Sequence, residues 1–175
     1  MKHLVLALLV SACTAAAQAP GPDVHLIGDV TPGVLAGAAQ WERVGFSVTE
    51  ADALPECSPT WYTDGNLDCV ITITVSVRDA HGAGGWANLR TREAVIDPSM
   101  LADAYLLQSI AAHEVGHIVL DTGTHLDFRA VMNLSRVAAA LTPSDEILAC
   151  SAVGLCVDGL TPNPSVHIHD DGATR

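Results

Sequence analysis

The stretch HEVGHIVLDTGTHLDFRAVM, His113 to Met132, decides how the rest of the chain is read. Its first two histidines stand four residues apart, so on a helix both imidazoles project from one face and can reach one metal ion. A zinc ion in a reactive site takes three protein ligands and keeps its fourth position for water. The spacing predicts His113 and His117 as two of those ligands. Glu114, beside them, is expected to act as a general base, taking a proton from the water that attacks a polarised carbonyl and passing it to the leaving amine. The plain alternative is an accidental match, a helix carrying two surface histidines and a glutamate. An apolar helix in an exported chain favours the metal.

The flanking sequence supports such a helix. Asp97-Pro98-Ser99 supplies residues suited to a helix start, and Met100 to Leu120 keeps helical spacing through Leu106, Leu107, Ile110, Ala111, Val115, Ile118 and Val119. Only His113, Glu114 and His117 interrupt an otherwise apolar cylinder. The pattern predicts a central helix buried beneath a sheet, with a polar window onto a cleft. Strands are expected at 24–30, 45–49, 70–77, 86–89 and 93–96, the clearest being VITITVSV, Val70 to Val77. Pro32 and Gly33 read as a break before a helix at Val34 to Arg43. Residues 52–68 read as a loop, and HGAGG, His81 to Gly85, lacks the spacing of a phosphate-binding loop. One of the strands at 86–89 and 93–96 is either an edge that pairs with substrate backbone or an ordinary solvated edge blunted by Arg90 and Arg92.

The run HEVGHIVLDTGTH followed by AVMN resembles the metzincin zinc metallopeptidases, and among them the matrixin-like group, over residues 113 to 133. The resemblance implies an α+β fold: a twisted mixed sheet over a central active-site helix, then a small C-terminal subdomain containing a methionine turn. It assigns His125 as the third ligand of one catalytic Zn2+ and Met132 to the methionine turn. Leu141 to Ile147 also looks like the closing helix of that family, with Thr142 as N-cap and Pro143 as first residue. The chain departs from the family's spacing. The family's glycine follows the second histidine by three positions and its third histidine by six, where this chain has Leu120 and Gly123; His125 lies two residues later. An insertion around Asp121 to Gly123 accommodates it if Gly123 supplies the unusual backbone angles of the turn. Asp121, Asp127 and Glu146 remain rival third ligands. The tyrosine that some relatives carry after the turn is absent, since Asn133 and Leu134 stand there.

A chain of 175 residues suits one domain, and 49% hydrophobic content argues against disorder. A formal charge of −12 argues against nucleic acid and anionic membranes as partners. Residues 1–12 read as a signal peptide, ending in Val10-Ser11-Ala12-Cys13, which resembles a bacterial lipobox. Cys13 is then the lipid-modified N-terminus of a cell-envelope lipoprotein, attached to the membrane only through that anchor; free secretion after the alanines at 15–17 is the alternative. Residues 13–22 read as a tether, 23–157 as the domain and 158–175 as a loose tail carrying His167 and His169. Four further cysteines permit three pairings in an exported protein. Cys57 with Cys69 and Cys150 with Cys156 are favoured, because each pair closes a short loop containing Pro or Gly.

The expected function is zinc-dependent endopeptidase cleavage of proteins or peptides. The alternatives are an envelope lipoprotein whose zinc site is structural or ligand-binding, and an interaction module. Oligomeric state and cleavage specificity are not legible in the sequence.

Overall fold

The computed structural model describes residues 22–52, 71–123, 125, 131–133 and 140–153. The expectations for the leader, for Cys13, Cys57, Cys69 and Cys156, for Asp127 and for the tail fall outside these residues. Pro22 is buried, and its C=O accepts from Ser47 N–H at 3.2 Å, so the described fold starts there.

Among the described residues five strands form one sheet: β1 (Asp23–Gly28), β2 (Ser47–Glu50), β3 (Ile71–Val77), β4 (Gly85–Asn88) and β5 (Glu93–Ile96), in the order β2-β1-β3-β5-β4. The first three pairings across this order are parallel, and β4 closes it as an antiparallel edge against β5. The expected mixed sheet is therefore present, but it is mostly parallel. The tight connection from Asn88 to Glu93 permits the antiparallel hairpin, whereas parallel neighbours need longer crossovers. Alternation places Val24, Leu26, Val48, Ile71, Ile73, Val75, Ala94 and Ile96 on one buried face.

Helices cover that face. Helix α1 spans Pro32–Ala38, with Thr31 Oγ1 accepting from Val34 N–H at 3.3 Å. Pro32 and Gly33 thus form its first turn rather than a break, because proline fits the first helical position. The expected helix to Arg43 changes to a 3-10 helix at Ala39–Val44, where Trp41 turns inward and its Nε1–H donates to Ala112 C=O at 2.7 Å. A second 3-10 helix, Pro98–Ala102, precedes α2 (Ala104–Val119). The central helix starts at Ala104 rather than Met100. Extended Asp103 separates the two and accepts from Tyr105 and Leu106 N–H at 2.9 and 3.1 Å. Helix α3 spans Pro143–Val153, starting at the expected proline. Its Cys150 is buried and disulfide-bonded.

Candidate metal centre

Every residue of α2 from Ala111 to Val119 is buried, including His113, Glu114 and His117 at 5%, 4% and 7% exposure. Each imidazole is oriented by a main-chain carbonyl: His113 Nδ1 lies 2.6 Å from Val131 O, and His117 Nδ1 lies 2.7 Å from Thr122 O. A carbonyl oxygen only accepts, so both Nδ1 atoms carry the proton. Burial lowers the pKa of His113 to about 4 and of His117 to about 3, which keeps both rings neutral. Their Nε2 atoms are then unprotonated, and they face each other across 3.1 Å. Two lone pairs at that separation repel unless a cation joins them, so the donor set fits a metal ion. His125 completes a group of three whose ligand atoms all lie within 4.8 Å of one another. Its ring stacks on His113 at 5.2 Å and meets His117 edge-on at 4.8 Å. Three imidazoles converging in this way suit Zn2+.

The turn beyond α2 explains how a histidine two residues late still arrives. Thr122 N–H donates to His117 C=O at 3.0 Å and Asp121 N–H to Ile118 C=O at 3.2 Å, the paired bonds that end a helix on a left-handed residue. That residue is Asp121, at φ 46°. The expected role of Gly123 in the turn is therefore corrected. Asp121 is itself exposed and stands outside the three-histidine group. Glu146 is also outside it, its carboxylate 2.7 Å from Arg43 Nη2.

Glu114 packs against the edge strand, where a Cβ added at Gly85 would stand 3.0 Å from Glu114 Cγ and 2.6 Å from Val95 O. Only glycine leaves this room. Burial pushes the Glu114 carboxyl up to about 8, so without a nearby cation the group holds its proton.

Met132 lies beneath the helix, fully buried. A Cβ at Gly116 would come within 2.3 Å of Trp41 Cζ2 and 2.6 Å of Met132 Sδ, so this position of HEVGH admits no side chain without displacing both. The segment at 131–133 is tied down by Asp145, which sequence reasoning missed. This carboxylate is fully buried and accepts from Val131 N–H and Met132 N–H, each at 3.0 Å. It also accepts from the N–H and Oγ1–H of Thr142, each at 2.8 Å. The spacing Thr142-x-x-Asp145 is half of a capping box, which was the available signal for its last two bonds.

No protein-family model matches the chain. No curated protein matches it either. Among solved structures it is similar to a zinc-dependent peptidase from Methanocorpusculum labreanum, at TM-score 0.43 and 16% identity over 73% of this chain and 99% of that one. It is also similar to archaemetzincin from Archaeoglobus fulgidus, complexed with malonate, at TM-score 0.39 and 18% identity over 71% of this chain and 97% of that one. Both scores lie below 0.5, so no family is assigned from them.

Proposed function

We propose that the chain is a zinc-dependent endopeptidase of the metzincin type. The observation that carries this reading is the pair of Nε2 lone pairs facing each other at 3.1 Å, with His125 converging on them and Glu114 buried on the same helix. Three histidine ligands leave one position for water, which favours a reactive over a closed structural site. Bound there, zinc would supply Lewis acidity toward a scissile carbonyl and an attacking water. Glu114 would take the proton of that water and deliver it to the leaving amine. Among the described residues β4 is the edge of the sheet, and Gly85 packs Glu114 against it, so an extended peptide added along that strand would pass the reacting groups.

In this proposal Met132 forms the methionine turn, supported by its place under Gly116. The matrixin-like grouping, export through residues 1–12, anchorage at Cys13 and the pairing of Cys150 with Cys156 belong to the same reading and rest on the sequence.

The test combines metal analysis with cleavage of a quenched peptide library. Wild-type protein is expected to purify with zinc and to lose activity on chelation. Glu114→Gln should keep the metal and lose activity by about 100- to 10,000-fold. Full activity in Glu114→Gln would end this proposal.

A further inference from the structure

We propose that Asp145 is a positioning residue for the metal centre, acting through the 131–132 peptide to orient His113 and set the affinity of the site for zinc. The inference rests on the three-histidine metal reading and is independent of peptidase activity.

One planar peptide unit joins the two side chains. Its N–H end, at Met132, donates to Asp145 Oδ1 at 3.0 Å, and its C=O end, at Val131, accepts from His113 Nδ1–H at 2.6 Å. A carboxylate on the N–H end polarises the amide and makes its oxygen a better acceptor. A better acceptor at Nδ1 makes Nε2 the stronger donor toward a metal, as outer partners of ligating histidines do.

Helix capping alone does not account for the arrangement. The cap of α3 needs only the bonds from Thr142, and the two from Val131 and Met132 reach 14 and 13 residues back. A fully buried carboxylate is costly unless its oxygens are satisfied, and here four donors converge on them.

The test measures zinc affinity by competition with a chromophoric chelator, and the visible spectrum of the cobalt-loaded protein, for wild type, Asp145→Asn, Thr142→Val and Leu148→Ala. Leu148 is buried in α3 and is not one of the Asp145 donors, so its variant controls for lost stability. Asp145→Asn is expected to bind zinc about 10- to 100-fold more weakly and to shift the cobalt bands, with Leu148→Ala staying within about twofold of wild type. A folded Asp145→Asn with unchanged affinity overturns the proposal, as does an equal loss in Leu148→Ala. If Asp145→Asn does not fold, Thr142→Val decides: a smaller loss in the same direction supports the role, and unchanged affinity and spectrum overturn it. Failure of wild type itself to bind zinc would instead refute the metal reading on which this inference rests.

Discussion

Thr122 holds His117 at two points: its N–H donates to His117 C=O at 3.0 Å, and its C=O accepts from His117 Nδ1 at 2.7 Å. The bond that ends the helix and the bond that orients the imidazole therefore share one residue. Both depend on the left-handed Asp121 just before it.

Asp121→Gly should stabilise the protein by up to about 1 kcal/mol, because glycine adopts this backbone region without the Cβ penalty, offset in part by its freer unfolded chain. Urea denaturation checks the direction, and zinc affinity should not change. A loss of stability would mean that the aspartate side chain itself supports the turn.

Gly116→Ala is expected to destabilise by about 1–3 kcal/mol, since the added methyl meets a buried indole and the Met132 sulfur. Denaturation midpoints report it. Wild-type stability in this variant would refute the close packing of α2 on Trp41.

His125→Ala should weaken zinc binding by more than the roughly 100-fold seen for outer partners, while Asp121→Ala and Glu146→Ala leave it nearly unchanged. Glu146 forms a surface pair with Arg43, whose removal costs about 0–1 kcal/mol of stability. Chelator competition across the three variants decides the third ligand. A large loss in either acidic variant, with His125→Ala intact, would move the assignment.

The metal-free protein should be most stable near pH 6.5. The two α2 histidines charge below 6.5 when unfolded but only near 4 and 3 when folded, so they lower stability as pH falls from 6.5. Glu114 ionises above 4.5 unfolded and near 8 folded, so it lowers stability as pH rises across that range. Between 4.5 and 6.5 the two histidine contributions outweigh the single glutamate, and stability rises with pH; from 6.5 to 8 the glutamate acts alone and stability falls. Thermal melts of chelator-treated protein across this range test the maximum, and a monotonic profile would contradict it.

The parts of this molecule written in local patterns were legible. The four-residue spacing of His113 and His117, the alternation of β3 and the Thr142-Pro143 start of α3 all reappear in the structure. Sheet order was not readable, because β1 lies between β2 and β3 through pairings distant in sequence. Trp41 shows the same limit: it looks like one face of a continuous helix, yet its hydrogen-bond partner lies 71 residues away and pulls the segment into a 3-10 turn. The three histidines that the structure brings together were visible in the sequence, but the turn conformation sits on an aspartate where glycine was the natural expectation. Asp145 stayed hidden because two of its bonds serve a segment 13 and 14 residues upstream.

The carbonyls that turn His113 and His117 also bear on how quickly a metal can enter. Ring rotation, a step that a flexible site must complete after first contact with the ion, is already finished when the chain has folded. The pace of uptake then falls to the ion's own loss of water and to its passage toward ligands only 5% and 7% exposed. The same confinement retards escape, so exchange in both directions should be slow even where equilibrium binding is ordinary.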